Sequence, residues 1–389
     1  MKKLYGKVHI VGAGPGSPEL ITLRGAECLK KADVVLYDRL AHPALLFHVS
    51  AHAKLIYCGK KPCLHTLRQE DIQNELIVQA KRGKNVVRLK GGDPSIFGRM
   101  AEEMKELSER QIPYEIIPGI TAGSAAASYA GVSLTHRDYA HGYRVLTGHG
   151  KTSTGDDVAA DWHSLAHTTD TLIWYMGMKR LPQITAELMK HGKEPKTNVL
   201  VVEWATHKQQ RTIPGTLDTI SDIVLKQGVK NPSIIIIGDV TSHHTDLQWF
   251  APSTAGSILA FPLHSKEVSL YEKLKDSGIE VFLSSSLSED SDFNLNNTLE
   301  IIDRLVEEGF IRHLILPATI KGKQLYEAWQ QRRSSIDKPL TCWMAEENET
   351  SIISSLLPSL PIGKPEDSIK CLLAEEVGHP SLQSEKATV

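Results

Sequence analysis

Residues 86–99 constrain the fold of this chain more tightly than any other stretch. The short apolar run Val86-Val87-Arg88-Leu89 leads into Gly91-Gly92-Asp93-Pro94, and Phe97, Met100, Met104 and Leu107 then recur at helical spacing. Strand, glycine turn and helix in that order form the building unit of a parallel α/β sheet, with Asp93 in the turn and Arg99 in the first turns of the helix. Paired glycines let a ligand come close to the backbone, and Asp93 can accept hydrogen bonds from an amine or a sugar hydroxyl. A plain strand-to-helix turn capped by Asp93 fits the same residues.

The alternation continues on both sides. Strands are predicted at 8–11, 34–37, 54–58 and 114–117, and helices at 20–31, 44–49 and 68–82, where Ile72, Leu76 and Ala80 share a face and Gly83 ends the run. Residues 1–119 thus read as one α/β domain with a largely parallel sheet. Pro118-Gly119 breaks the pattern. Thr121 then opens the run Ala122-Gly123-Ser124-Ala125-Ala126-Ala127, small enough to pack a helix against a close neighbour or a ligand. Strands at 143–147, 171–175, 199–203 and 233–237, with a helix at 181–190, make a second α/β domain of residues 120–250. A polar linker at 251–256 leads to a third unit, 257–377. There strands at 258–261, 279–283, 313–316 and 340–344 alternate with helices at 266–275, 298–308 and 322–331. A polar tail at 378–389 is expected to be frayed.

Composition narrows the function class. No apolar run approaches the roughly 20 residues that span a bilayer, and Met1-Lys2-Lys3 runs straight into a strand, so a cytoplasmic protein without membrane contact is expected. The cysteines, at 28, 58, 63, 342 and 371, form neither a disulfide framework nor a zinc pattern, and Cys58 and Cys63 have no second pair to complete four ligands. His136, His141 and His149 share no regular face, so no metal is expected. From Ser253 onward acidic residues exceed basic ones by eight, which leaves a moderately basic body for a net charge of −2. That balance suits an anionic small molecule, and no basic cluster interleaved with aromatics argues for nucleic acid.

Gly12-Ala13-Gly14-Pro15-Gly16-Ser17 has the outline of a dinucleotide loop, but Ser17 stands in the third glycine's place and Pro15 removes an N–H from the phosphate cradle. The same residues belong to a different series. Val11-Gly12-Ala13-Gly14-Pro15-Gly16, Ile21-Thr22-Leu23-Arg24, Tyr37-Asp38-Arg39-Leu40 and Gly59-Lys60 begin it. Val87-Arg88-Leu89-Lys90-Gly91-Gly92-Asp93-Pro94, Phe97-Gly98-Arg99, Pro118-Gly119-Ile120-Thr121-Ala122, Leu134-Thr135-His136-Arg137 and Tyr175-Met176-Gly177 complete it. In this order, over about residues 5–245, they resemble the tetrapyrrole methylase superfamily, and within it the enzymes that methylate uroporphyrinogen III.

The resemblance implies two αβα domains in a homodimer, with S-adenosylmethionine in the cleft between the domains and S-adenosylhomocysteine as its product. The implied reaction methylates two adjacent pyrrole rings of uroporphyrinogen III, giving precorrin-2 by way of precorrin-1 for sirohaem or cobalamin synthesis. Carried over by position, the cofactor contacts are Pro15, Gly91, Gly92, Asp93, Ile96, Thr121, Ala122, Met176 and Ala205. Asp38 and Lys60 match a proton acceptor and donor, Arg99 and Glu102 groups that act on or hold the macrocycle, and Arg137 a substrate-binding arginine. Another precorrin methylase, or a non-catalytic sensor of the same ligands, is the alternative.

These residue types suit that chemistry. A sulfonium donor activates its own methyl group, so the protein mainly aligns donor and ring carbon. Removing or polarising a pyrrole N–H calls for a base, and the protons shed afterwards call for an acid/base pair. The macrocycle's carboxylates call for arginine forks, for which Arg39, Arg99 and Arg137 are placed at turns and loops. Plainer readings fit too: Asp38 and Arg39 as a surface ion pair, Arg99 paired with Glu102 or Glu103, Met176 in the core. Three positions depart from the family pattern: Ser17, Met100-Ala101, and the Trp204-Ala205-Thr206-His207 segment. The third unit resembles one flavodoxin-like lobe of a uroporphyrinogen-III synthase. At half the two-lobed length it is expected to hold no complete second active site.

Overall fold

Three sheets organise the chain. The computed structural model describes residues 5–59, 68–149, 160–252, 257–262, 268, 271–272, 274–275, 279–288, 292–317, 319–332 and 340–345. The first sheet holds β1 (Val8–Gly12), β2 (Val34–Tyr37), β3 (Lys54–Tyr57), β4 (Val86–Lys90) and β5 (Tyr114–Ile117), in the order β3-β2-β4-β1-β5. Its centre is parallel, with Val8 of β1 opposite Val86 of β4 and Tyr114 of β5. β2 and β4 are buried along their whole length, which is why β2 reads as a continuous apolar run; β4 is apolar apart from Arg88 and Lys90.

The helices of this part are α1 (Leu23–Lys30), α2 (Gln69–Lys81) and α3 (Met100–Glu109). The helix expected at 44–49 is a 3-10 segment, Pro43–His48. α2 starts at a capping box in which Asp71 accepts from the backbone N–H of Arg68 at 2.9 Å. α3 starts later than the apolar spacing predicts. Phe97 (φ 54°) and Arg99 (φ 56°) are left-handed, so Phe97 lies outside the helix and Arg99 is its N-cap. The chain folds back so tightly there that a side chain at Gly98 would land on the carbonyl of Pro94.

The second sheet is mixed. β6 (Tyr143–Thr147), β7 (Thr171–Tyr175), β8 (Asn198–Glu203), β9 (Arg211–Thr216) and β10 (Ser233–Ile237) lie in the order β6-β7-β10-β8-β9. β6 and β7 are parallel, whereas β10 is antiparallel to both neighbours and β8 to β9. Strand alternation gives this sheet two apolar faces. Leu172, Trp174, Val199, Val201, Ile235 and Ile237 pack with Leu181, Ile184 and Leu188 of α6 (Leu181–Lys190), and with residues of α5 (Trp162–His167) and α7 (Ile220–Lys226). On the other face Ile173, Leu200, Val202, Ile234 and Ile236 meet Ala126 and Ala127 of α4 (Ala122–Tyr129). The small-residue run is therefore a close-packing face.

β11 (Ile258–Ala260), β12 (Val281–Leu283), β13 (His313–Pro317) and β14 (Thr341–Ala345) form a third sheet, order β12-β11-β13-β14, with every pair parallel. That order opens the flavodoxin-like series. Its described helices are α8 (Leu295–Glu307) and α9 (Ile320–Arg332). The helix expected at 266–275 falls partly outside the described residues, as does most of the linker, and 346–389, including the tail, lie wholly outside them.

By density of contact the described residues fall into two units, one drawn from 5–28, 35–42 and 56–252, the other from 29–34, 43–55 and 257–345. Within the second unit the amides of Asn294 and Asn297, at the start of α8, donate to the carbonyls of Ala51 (2.8 Å) and Ala53 (3.0 Å), and Phe47 packs edge-on against Phe261. Among the described residues no helix is long and apolar enough to cross a membrane.

A Cβ at Gly12, the last residue of β1, would stand 2.6 Å from the Cα of Gly119 and 2.7 Å from the carbonyl oxygen of Gly92. Neither backbone can yield without opening the turns at the strand ends. Gly12→Ala is expected to lower stability by about 1–3 kcal/mol, the usual penalty for overpacking, read as a lower urea midpoint with an unchanged slope.

Candidate active site

Ligand sites in parallel sheets form beyond the carboxyl ends of the strands. Here the turns after β1, β4 and β5 interlock. Gly92 N–H donates to the carbonyl of Gly14 (2.7 Å) and Gly14 N–H to that of Gly92 (3.2 Å), while Ala13 N–H donates to Lys90 (2.7 Å). Asp93 joins the third turn: one carboxylate oxygen accepts from Gly119 N–H at 2.9 Å and the other from Ser95 N–H at 2.8 Å. The cap reading is not met, since the N-cap of the helix that follows is Arg99. Asp93 fixes the turn, and a carboxylate has lone pairs left for a further donor.

Two segments of the second sheet close on these turns. The phenol of Tyr175, the last residue of β7, accepts from Gly123 N–H (2.5 Å) and shares a hydrogen bond with the Thr121 hydroxyl (2.6 Å). Burial pushes that phenol above its usual range, so it stays a neutral donor and acceptor. Met176 follows in a left-handed conformation (φ 53°) and is 41% exposed, which excludes plain core packing. Phe97 packs at a tilt on the Tyr175 ring, centroids 5.3 Å apart. The second segment is 204–207, where Trp204 (φ 50°) and Thr206 (φ 69°) are also left-handed. The Thr206 hydroxyl accepts from Ser17 N–H at 3.0 Å, and the buried His207 ring fills the space beside Gly16.

The expected cofactor residues thus cluster. Pro15, Gly91, Gly92, Asp93, Ile96, Thr121 and Ala122 lie in or next to the interlocked turns, and Met176 and Ala205 on the two segments that meet them. The charged residues are placed differently. Asp38 follows β2, and one of its oxygens accepts from the N–H groups of Leu40 (3.0 Å) and Ala41 (3.2 Å). Arg39 is exposed on the same turn. Arg99 forms a fork with Glu102, at 2.8 and 2.5 Å, with both side chains about half exposed. Arg137 is exposed on the loop closed by the His136–Ala140 bridge. Lys60 and Cys63 lie outside the described residues.

Sequence reasoning missed a charged group below this surface. Glu103 of α3 is fully buried and accepts from Lys90 Nζ at 2.9 Å, Gln69 Nε2 at 3.1 Å and Arg88 Nε at 3.4 Å. Desolvation, then the neighbouring Arg88 charge, holds the Lys90 amine below the usual lysine range. Cys58, in the same surroundings, has its thiol pushed up to about 11 by burial. Arg88 and Lys90 sit two apart on a buried strand and so share a face.

The model of the Tetrapyrrole (Corrin/Porphyrin) Methylases matches residues 7–221. A uroporphyrinogen-III C-methyltransferase of Priestia megaterium is 52% identical over 237 residues, which are 61% of this chain and 99% of that protein. A siroheme synthase of Thioalkalivibrio sulfidiphilus is 46% identical over 249 residues, 64% of this chain and 50% of that one. Among solved structures, a Thermus thermophilus uroporphyrin-III C-methyl transferase complexed with S-adenyl homocysteine has a TM-score of 0.51 at 36% identity, covering 60% of this chain and 93% of its own.

His207 gives the site a pH signature. Burial lowers its pKa to about 3 from 6.5, so the unfolded chain takes up a proton below pH 6.5 that the folded chain refuses until about pH 3. Stability from this residue is present above pH 6.5 and falls through that window, by up to about 1.4 kcal/mol per pH unit. His207→Asn is expected to flatten the acid slope of the urea midpoint; identical slopes in the two proteins would refute the assignment.

Proposed function

The chain belongs to the tetrapyrrole methylases, and from that membership we propose that it is an S-adenosylmethionine-dependent C-methyltransferase of uroporphyrinogen III. It adds methyl groups at two adjacent pyrrole rings and makes precorrin-2 by way of precorrin-1, for sirohaem or cobalamin synthesis. Residues 1–119 and 120–250 are read as the two catalytic domains of a homodimer, and 257–377 as an appendage without a complete active site. The observation that carries the reading is the bonding of Tyr175 to the Thr121–Gly123 turn, which brings an exposed Met176 to the glycine turns at the strand ends.

The residues present fit the methyl donor. Glycine and alanine at 91, 92 and 122 leave backbone and space, and the half-exposed Met176 and Ile120 offer apolar surface. Pro15, Gly91, Gly92, Asp93, Ile96, Thr121, Ala122, Met176 and Ala205 would hold it. Bound there, S-adenosylmethionine supplies a methyl group already activated by its sulfonium centre.

What the chain must add is alignment and proton handling. Asp38, its carboxylate oriented by two backbone N–H groups, takes the proton of a pyrrole N–H as the ring carbon becomes nucleophilic. Lys60, the matched proton donor, exchanges protons on the pyrrolenine nitrogens afterwards, one proton being released in net for each methyl group gained. Arg39, Arg99 and Arg137 bind carboxylates of the macrocycle. The Arg99–Glu102 pair is exposed and costs little to open, so Glu102 holds Arg99 in the free protein and Arg99 can exchange it for a substrate carboxylate.

Anaerobic incubation with uroporphyrinogen III and methyl-labelled donor is expected to place two labels on each macrocycle; no transfer would sink the reading. Asp38→Asn should lower kcat by about 100-fold or more with donor affinity kept. Arg99→Lys should raise KM for the macrocycle by about 10-fold, since lysine cannot form the fork.

Tyr175→Phe removes an acceptor for Gly123 N–H and a partner for Thr121. Titration calorimetry is expected to show about 10-fold weaker binding of S-adenosylhomocysteine at near-normal thermal stability. Unchanged affinity would separate Tyr175 from the donor site.

A further inference from the structure

We infer that Glu103, Arg88 and Lys90 act as positioning residues for the carboxylate of Asp38, an inference that rests on the reading of Asp38 as the ring base. The network reaches Asp38 through one side chain. Arg88 binds Glu103 by Nε at 3.4 Å, donates to the carbonyls of Leu89 (3.2 Å) and Leu36 (3.5 Å), and sets its remaining terminal nitrogen 3.9 Å from the second oxygen of Asp38. The first oxygen of Asp38 is the one held by Leu40 and Ala41 N–H. Arg88 thus ties the strand before Asp38 to the carboxylate itself.

The charges balance only when Asp38 is counted. Arg88 and Lys90 are two cations, each about 95% buried, and Glu103 is one fully buried anion. Asp38, 28% exposed, supplies the second negative charge at the edge of the cluster. The facing groups come from every element around it: Asp38 after β2, Cys58 after β3, Gln69 on α2, Arg88 and Lys90 on β4, Glu103 on α3, and the mutually paired Arg99 and Glu102 at the start of that helix. Cys58 is a neutral thiol at working pH and Gln69 has no charge, so neither changes the balance.

Stability does not account for such a cluster. Taking paired charges out of water costs about as much as their attraction returns. The second oxygen of Glu103 is buried without a hydrogen-bond partner among the described residues, which a purely stabilising pair has no reason to tolerate. A fixed excess of one positive charge, aimed by Arg88 at the carboxylate meant to take a proton, is a reason to keep it.

The test is the pH profile of kcat/KM for methyl transfer by the full chain. Glu103→Gln removes an anion, so the acid limb is expected to move to lower pH; Lys90→Met removes a cation and should move it to higher pH, each by about one unit. Loss of stability alone cannot produce shifts of opposite sign. The double variant Glu103→Gln/Lys90→Met keeps the charge balance and should return the limb toward the parent position, even if either single variant folds poorly. Donor affinity by calorimetry should stay within about twofold in all three, because the bond that joins residue 90 to the glycine turns is made by its backbone carbonyl, which the substitution leaves in place. Limbs that stay in place, or move in the same direction, overturn the inference. Asp38→Asn run in parallel tells the two failures apart: a limb that persists in it overturns the base reading and the network role together. A limb abolished in Asp38→Asn but unmoved by the network variants overturns the network role alone.

Discussion

The hydrogen bond from Gly119 N–H to Asp93 is the contact on which the arrangement of the site depends. The reciprocal bonds between Gly14 and Gly92 join only two of the strand ends. Asp93 adds the third, and the turn it secures leads directly into Thr121 and α4. Since α4 packs on the second sheet through Ala126 and Ala127, one carboxylate couples the loops of the first sheet to a helix seated on the other. Tyr175 reaches back to the same turn from β7. A carboxylate side chain suits this work, because its two oxygens can accept from two backbone N–H groups at once.

Much of the fold was legible because its causes are local. Fully buried strands show as apolar runs, and the turns between them announce themselves by glycine and proline, as at 83, 91–94 and 118–119. What escaped had a non-local cause. β9 contains Pro214 and Gly215, which argue against a strand, yet it sits at the sheet edge, where a missing N–H breaks no ladder on its outer side. Phe97 fits the helical spacing of its neighbours, but the fold-back at Gly98 and the contact with Tyr175 hold it outside the helix.

The site was legible to a similar degree. Family resemblance picks out glycines, arginines and Asp38 by their motifs, and the backbone bonds show how the first of these are held. The buried charges were hidden by the same pattern that revealed the strand, since Val86-Val87-Arg88-Leu89 reads as apolar despite its arginine. His207 carries no motif of its own. Its burial comes from the left-handed bend at Trp204 and Thr206 and from the bare Cα of Gly16, facts that exist only once the chain has folded.

The membership of residues 43–55 has a consequence for how this protein can be divided. In sequence they lie between Asp38 and Gly59, far from the third sheet; in space they are held by Asn294, Asn297 and Phe261. A fragment ending at residue 252 would therefore leave Ala51, Ala53 and Phe47 facing water without the groups that cover and bond them. The linker is a boundary of the polypeptide and not of the packing. Separating the third sheet cleanly takes two operations, a cut after 252 and polar replacement of the apolar surface at 43–55, or the truncated protein inherits an adhesive patch.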